Sequence, residues 1–204
     1  MPGLGQIVIL NGAPRSGKSS IAAQIQEQFD GVWMNLGVDA WVKHVTPARY
    51  RPGIGLRPGA QCLDLSPLLP VFYAALYESI AAHSRLGLNV VVDIGHHAQG
   101  GAPEGILSDC ARRLAGLPAV LVGVRCPLEA IVERRKATGM WPEGDKPLPR
   151  PILLWQEAVH DPGVYDLEVD TSLQSPAQCA QAIRRRLDAG IERPSALERL
   201  ASGA

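Results

Sequence analysis

Residues 8–22 read VILNGAPRSGKSSIA, and this stretch decides the fold class. Its first part is an apolar run typical of a strand that is covered on both faces, and its last part begins a helical pattern with Ile21 and Ile25 on one stripe. Between them, residues 12–19 fit G-x-x-x-x-G-K-[ST], the pattern of the P-loop. This motif requires a glycine-rich turn between a strand and a helix, and we therefore predict a phosphate-binding loop. The alternative is a turn that binds nothing.

The residue types of this loop follow from what a phosphate group requires. Gly12 and Gly17 let the backbone turn tightly, so that successive N–H groups and the positive end of the helix converge on phosphate oxygens. Lys18 is expected to reach the β- and γ-phosphates, and the Ser19 hydroxyl is expected to coordinate Mg²⁺. The predicted nucleotide-binding residues are Gly12, Ala13, Pro14, Arg15, Ser16, Gly17, Lys18, Ser19 and Ser20.

The composition argues against several classes of function. The 204 residues carry 20 basic and 20 acidic side chains, so the basic excess of nucleic-acid-binding proteins is missing. No apolar stretch approaches the roughly 20 residues that span a bilayer, and the N-terminus lacks the pattern of a secretory signal. The four cysteines form no CxxC pair, which favours reduced thiols over a zinc site or a disulfide framework. We therefore predict a cytoplasmic protein without nucleic-acid or membrane partners.

Strand and helix patterns alternate along the chain. Strand patterns occur in QIVIL, VWMNLG, NVVVDI, PAVLVGVRC and YDLEVD, and helical patterns lie between them. This alternation predicts a three-layer α/β sandwich around a mainly parallel sheet, as a single domain over residues 1–204. Two segments interrupt the alternation: 46–68 is rich in Gly, Pro and Arg, and 139–151 is rich in Pro and charged residues. Loops of this length in compact domains are often functional. The tail over residues 191–204 is expected to be peripheral.

Two acidic residues follow predicted strands and are candidates for chemistry. In a parallel sheet, the carboxyl ends of the strands lie beside the P-loop. Asp39 follows the second strand and can accept the proton of an attacking hydroxyl, the base role in phosphoryl transfer; alternatively, it only caps a helix. Asp93 ends the strand NVVVD and resembles a Walker B aspartate that holds Mg²⁺; alternatively, it is a surface acid.

Basic and histidine side chains provide further candidates. Arg134, with Arg135 and Lys136, lies in the last turn of a predicted helix and can stabilise charge on the transferred group. The alternative is that these cations only complement the helix dipole. His96 and His97 are adjacent in DIGHHAQ, and we interpret them as polar lining of the pocket rather than as metal ligands.

The chain resembles the chloramphenicol phosphotransferase family of small P-loop kinases over roughly residues 6–186. The resemblance is carried by VILNGAPRSGKSSIA, LGVDAWV, VVVD, VGVRCPLEAIVERR and AVHDPGVYDLEVDTS. It implies a core like that of nucleoside-monophosphate kinases, with five parallel strands, ATP and Mg²⁺ as cosubstrates, and Asp39 as the base. It also implies an acceptor beside segment 46–68 and a lid over 134–151.

The sequence departs from the family pattern in three places. Ile94 follows the strand-end aspartate where a second acid can occur, and Thr138 stands where the lid helix carries a second arginine before its glycine. The segment 46–68 is dissimilar, and its arginines Arg49, Arg51 and Arg57 indicate either an anionic or strongly hydrogen-bonding acceptor or a solvated loop.

These observations predict an ATP-dependent kinase for a hydroxyl group of a small molecule. Chloramphenicol is one candidate acceptor, in which case phosphorylation would inactivate the antibiotic and confer resistance. One alternative is a metabolite or nucleotide-sugar kinase similar to gluconate kinases or zeta toxins. Another is a nucleotide-binding regulator without phosphotransfer.

Overall fold

The computed structural model describes residues 3–51, 65–97, 105–139, 150–161 and 163–203. Of the two irregular segments predicted from the sequence, the parts 52–64 and 140–149 lie outside the described residues. Arg57, noted above in the first of these segments, lies outside them as well.

The centre of the fold is a sheet whose strands all run parallel. Its strands are β1 (Ile7–Asn11), β2 (Trp33–Asn35), β3 (Asn89–Ile94), β4 (Ala119–Arg125) and β5 (Leu167–Asp170). They lie in the order β2-β3-β1-β4-β5, and each neighbouring pair is parallel. β1 is the middle strand, and all of its residues are buried. This burial explains why the sequence before the P-loop is an apolar run. The predicted parallel sheet and its five strands are confirmed.

Helices connect the strands and cover the sheet. The α-helices are α1 (Lys18–Gln28), α2 (Val38–Ala40), α3 (Leu69–Arg85), α4 (Ile106–Arg113), α5 (Leu128–Ala137), α6 (Arg150–Ala158), α7 (Pro176–Asp188) and α8 (Ala196–Ser202). Helix α2 continues into a π-helical turn, Trp41–Val45, and 3₁₀ turns occupy Ala48–Tyr50 and Ser66–Leu68. In the described part of the chain, no helix combines the length and the apolar character that crossing a bilayer requires.

Side chains alternate between the two faces of the sheet, so β1 contributes to two cores. Ile7 and Ile9 pack with α3, α4 and α8, whereas Val8 and Leu10 pack with α1 and α7. All four of these side chains are fully buried. A third, smaller cluster includes Ala13, and it joins the loop after β1 to α5 and α6. The predicted three-layer sandwich is confirmed.

The C-terminal tail is not peripheral, which corrects the expectation from the sequence. Ser195 caps α8 with its side chain, and the backbone N–H of Ala196 donates to Asp166 Oδ1 at 2.7 Å. Ala196, Leu197 and Leu200 are buried in the core beside α4. The sequence signal was weak because α8 is short and buries only a few apolar residues.

This packing predicts that the tail contributes to stability. Leu197 is 5% exposed, so Leu197→Ala removes buried methyl groups and should lower the free energy of unfolding by about 2–4 kcal/mol. The matched control is Leu173→Ala, because Leu173 is 83% exposed and its truncation should change stability by less than about 0.5 kcal/mol. Urea denaturation measures both values, and equal effects would contradict the placement of α8 in the core.

Candidate active site

A cleft of about 1050 Å³ opens at the carboxyl ends of the strands. The loop after β1 lines it together with Asp39 of α2, Asp93 of β3 and Arg134 of α5. The topology therefore brings the residues predicted from four separate parts of the sequence into one cavity. Ala13 and Ser16, which we also predicted to bind nucleotide, are buried and do not line the cleft.

The backbone of residues 12–17 requires glycine at its two ends. A Cβ atom at Gly12 would lie 2.5 Å from the carbonyl oxygen of Val124, so no larger residue fits there. Gly17 adopts φ +95°, and Arg15 adopts φ +72° although it is not a glycine. A turn in which left-handed residues alternate with ordinary ones, as over residues 15–17, directs successive N–H groups inward and forms a concave anion site. Residue Arg15 stores strain that is typical of functional loops.

Lys18 lies at the start of α1 and folds back over the loop. Its Nζ atom donates hydrogen bonds to the carbonyl oxygens of Gly12 at 2.8 Å and Ala13 at 2.9 Å. Burial lowers the pKa of Lys18 from its ordinary value to about 8, although Asp93 and Asp39 act in the opposite direction. Lys18 is therefore charged at neutral pH, in a site where an anion would replace the solvation that it has lost.

Ser19 and Asp93 form a direct contact across the cleft. The Ser19 hydroxyl donates to Asp93 Oδ2 at 2.7 Å. A Cβ atom at Gly37 would lie 1.7 Å from Asp93 Oδ1, so the chain after β2 passes this carboxylate only because residue 37 is glycine. A hydroxyl and a carboxylate are the oxygen donors that Mg²⁺ uses beside nucleotide phosphates. These two side chains fit the predicted metal position.

Asp39 lies in the first turn of α2, exposed at the wall of the cleft. Its charge acts on Lys18, so the two groups lie in the same electrostatic environment. No side-chain hydrogen bond of Asp39 caps the helix, because Gly37 occupies the cap position. The alternative that Asp39 serves as the N-cap is therefore wrong, and its carboxylate is left facing the cleft.

Arg134 connects three parts of the site. Its guanidinium donates to the Thr171 carbonyl oxygen at 2.7 Å, to Thr171 Oγ1 at 3.0 Å and to the carbonyl oxygen of Arg15 at 3.2 Å. Thr171 in turn donates from Oγ1 to the carbonyl oxygen of Ser16 at 2.6 Å. Arg134 and Thr171 thus hold the P-loop against the end of β5.

Arg135 also lines the cleft, but its environment differs from that of Arg134. Its Nε atom is buried without a hydrogen-bond partner among the described residues. Burial lowers the pKa of Arg135, and the nearby charge of Arg15 lowers it further. An anion that contacts both guanidinium groups would offset the desolvation of Arg135 and the repulsion between the two charges.

The two histidines after β3 lie behind the cleft and do not line it, so that prediction was wrong. His96 is 1% exposed, and its Nε2 atom is hydrogen bonded to the hydroxyl of Tyr77 at 2.9 Å. Burial lowers the pKa of His96 to about 3, so the ring is neutral in the folded protein. His97 is also buried, beside Trp155. Within the described residues, no group of three or more His, Cys, Asp or Glu side chains could hold a metal ion.

Asn11 fixes the position of the P-loop from below. Its Oδ1 atom accepts from the backbone N–H of His96 at 2.7 Å, and its Nδ2 atom donates to the carbonyl oxygen of Val159 at 2.9 Å and to the Tyr165 hydroxyl at 3.1 Å. His160 is hydrogen bonded to the same hydroxyl at 2.8 Å. The VH and Y of the segment AVHDPGVYDLEVDTS therefore support the loop that begins at residue 12.

Thr171 and Trp155 are among the residues of this cleft that sequence reasoning missed. Thr171 follows β5, and its place at the carboxyl end of a parallel strand was the signal that could have found it. Trp155 of α6 lines the cleft and lies over Gly95, where a Cβ atom would be 3.0 Å from the indole nitrogen. No local pattern in the sequence marks Trp155 as part of the site.

The fold is that of P-loop kinases: a parallel sheet flanked by helices, with a P-loop sequence after β1 and an acid at the end of β3. The chain belongs to the chloramphenicol phosphotransferase-like protein family, whose model matches residues 5–188. The resemblance found in the sequence is therefore confirmed.

Individual proteins are similar to this chain in sequence or in fold. A protein of Mycobacterium tuberculosis strain H37Rv named "Putative O-phosphotransferase Rv2636" is 25% identical over 213 residues, which covers 96% of this chain and 88% of that protein. The structure of the Mycobacterium tuberculosis APS kinase in complex with AMPPNP and APS has a TM-score of 0.56 at 19% identity, covering 92% of this chain and 99% of that one. The shikimate kinase of Acinetobacter baumannii in complex with shikimate has a TM-score of 0.57 at 13% identity, covering 91% and 94%.

The lowered pKa of Lys18 predicts how nucleotide binding depends on pH. Phosphate binding requires the charged amine, and the pKa of about 8 means that this charge is lost as the pH rises above 8. The affinity for ATP should therefore fall between pH 8 and 9.5, by up to about tenfold per pH unit. Calorimetric titrations across this range measure it. The control is Lys18→Arg, which stays charged and should give a flatter profile; a flat profile for the unmodified protein would contradict the assignment.

Proposed function

We propose that this protein transfers the γ-phosphate of ATP to a hydroxyl group of a small molecule. The observation that carries the proposal is that the Asp39 carboxylate shares one cleft with the P-loop residues Lys18 and Ser19. A nucleotide-binding regulator needs the P-loop alone. A phosphotransferase also needs a carboxylate beside the position of the terminal phosphate, and Asp39 fulfils this requirement.

The transfer step exchanges one P–O bond for another. The acceptor oxygen forms a bond to the γ-phosphorus while the bond from that phosphorus to the β,γ-bridging oxygen breaks, which leaves ADP. Asp39 takes the proton of the acceptor hydroxyl and later releases it to solvent. Ser19 and Asp93 would hold Mg²⁺, which when bound neutralises part of the phosphate charge. Lys18 stabilises the charge on the transferred group.

We assign different roles to the two neighbouring arginines of α5. Arg134 donates hydrogen bonds to Thr171 and the P-loop backbone. We therefore replace its predicted role, stabilising charge on the transferred group, with that of a positioning residue. Arg135 has a buried Nε atom without a partner among the described residues and lies near the charge of Arg15. We propose that these two arginines contact the phosphates of the nucleotide. In this chain Thr138 stands where the family pattern has a second arginine. Under this assignment, Arg135 takes over the role of that missing arginine.

The family name suggests chloramphenicol as an acceptor, and we propose it as the first compound to test for an antibiotic-directed activity. We also propose a single kinase domain that acts in the cytoplasm, where ATP is available. Cys110, Cys126 and Cys179 are buried free thiols, as expected in a reducing compartment.

The base role of Asp39 predicts a separation of binding from turnover. Asp39→Asn removes the proton acceptor while keeping the shape of the side chain, so ATP affinity should stay within about twofold and kcat should fall about 100- to 10,000-fold. Transfer from γ-labelled ATP to chloramphenicol and to a panel of hydroxylated metabolites measures turnover. Normal turnover in Asp39→Asn would remove Asp39 as the base. An unmodified protein that binds ATP and transfers phosphate to no acceptor would instead be a regulator.

Matched substitutions of the two arginines should affect different properties, stability for Arg134 and turnover for Arg135. Arg134→Gln breaks the contacts to Thr171 and should lower the free energy of unfolding by about 1–3 kcal/mol. Arg135→Gln should leave stability within about 0.5 kcal/mol and lower kcat about 100-fold or more, because a donor to the transferred phosphate is lost. Thermal unfolding and the rate of ATP turnover together distinguish the roles. The assignment fails if Arg135→Gln retains full kcat.

A further inference from the structure

The strand order divides the cleft into two sides. β1 and the P-loop are central, with β4 and β5 on one side and β3 and β2 on the other. Arg134 and Arg135 follow β4 and therefore lie on the first side. Asp39 follows β2 and lies on the second, the acceptor side under the proposed function. Arg51, which lines the same cleft, follows the π-helical turn Trp41–Val45 and is on the acceptor side as well.

Arg51 is held in place by the backbone. Its Nε atom donates to the carbonyl oxygen of Thr46 at 2.9 Å. Thr46 is 4% exposed and is itself fixed, because its backbone N–H and its hydroxyl both donate to the carbonyl oxygen of Trp41. One nitrogen of the guanidinium is thus used for anchoring, and the two terminal nitrogens, the pair that binds an oxyanion in a fork, have no hydrogen-bond partner among the described residues.

The distribution of ion pairs separates the cleft from the remaining surface. On the outer surface, arginines such as Arg113 and Arg125 pair with carboxylates. In the described parts of the chain, Arg51, Arg134 and Arg135 of the cleft form no ion pair with a carboxylate. The cations that line the cleft are Arg15, Lys18, Arg51, Arg134 and Arg135, against the carboxylates of Asp39 and Asp93. A protein of zero formal net charge therefore concentrates positive charge in this cavity.

A magnesium–nucleotide complex would pair with the cations near the P-loop and α5. Arg51 lies on the other side of β1, with β3 and β2, and is not explained by that complex. The remaining lining on that side is apolar or aromatic: Val38 and Val42 are half-buried, and Tyr73 is buried. A pocket with an apolar wall and one anchored guanidinium selects a ligand that carries a single oxyanion on a compact body.

We infer that the acceptor is a small hydroxylated acid whose oxyanion, a carboxylate or a phosphate ester, pairs with Arg51 while its hydroxyl faces Asp39. This inference rests on the proposed function and specifies its substrate class. Arg51 also offsets the repulsion that Asp39 exerts on an anionic acceptor, because its guanidinium carries the charge opposite to that of the oxyanion. A neutral acceptor would leave Arg51 without a role in the cleft.

The test measures binding to the 204-residue chain saturated with Mg²⁺ and AMPPNP, so that the phosphates of the nucleotide occupy the P-loop. The probes are hydroxy acids such as shikimate, each paired with its methyl ester, and sugar phosphates paired with the parent sugars. Ligand-observed NMR titrations give the affinities. At least one acid should bind about tenfold or more tightly than its neutral partner. The carboxylate and phosphate pairs show which oxyanion is preferred.

Three variants link the preference to Arg51. Arg51→Gln should reduce the ratio of acid to neutral affinity to about one, and Arg51→Lys should retain part of it because the charge remains without the fork. Arg49→Gln is the matched control, since Arg49 lies 4.7 Å over the ring of Tyr50 and does not line the cleft; it should leave the ratio unchanged. Equal binding of acids and neutral partners, or a preference that survives in Arg51→Gln, overturns the inference. Absence of AMPPNP binding overturns the proposed function itself.

Discussion

The site depends on the parallel pairing of β1 with β3. In this register Leu10 lies beside Asp93, two residues before Gly12 begins the P-loop. The carboxylate of Asp93 therefore reaches the Ser19 hydroxyl across the start of α1. A shift of one residue would turn Asp93 into the core and Val92 toward Ser19, because alternate side chains point to opposite faces. The buried residues of β1 fix this register, so the core and the chemistry depend on the same pairing.

Much of this arrangement could be predicted from the sequence, because it is encoded locally. The apolar run Ile7–Asn11, the glycines of the P-loop and the helical stripe of Ile21 and Ile25 lie within a few turns of chain. Asp39 and Asp93 could be placed as well, since each follows a recognisable strand and parallel strands end at one edge.

The parts that could not be predicted depend on contacts between distant segments. Thr171 reaches Ser16 across 155 positions of sequence, and Arg134 reaches Arg15 across 119. The sequence predicted His96 as a polar residue of the pocket. Its ring is instead hydrogen bonded to Tyr77 of α3 and its backbone N–H to Asn11 of β1, and the residue is buried in the core. Helix α8 buries its apolar face against α4. The sequence pattern of neither helix indicates that the other is its packing partner. The segments 52–64 and 140–149 lie outside the described residues, and their predicted roles as acceptor loop and lid stay predictions.

The electrostatics of the cleft connect these parts. Gly37 and Gly12 allow backbone and carboxylate to approach closely, and Lys18 remains charged although burial lowers its pKa. Arg134 and Thr171 hold the loop against the end of β5, and the other cations line the cavity. Such preorganisation stabilises developing charge without a cost of reorganisation during the reaction.

Calorimetric titration of the protein with ATP, in the presence and absence of Mg²⁺ and alongside Ser19→Ala, is the most direct test of the role of this cleft. We predict one ATP site per chain, with an affinity that increases in Mg²⁺ and a Mg²⁺-dependent part that is lost in Ser19→Ala. No binding of ATP, or an affinity that Mg²⁺ and Ser19→Ala leave unchanged, would contradict the assignment of this cleft as a site of phosphoryl transfer.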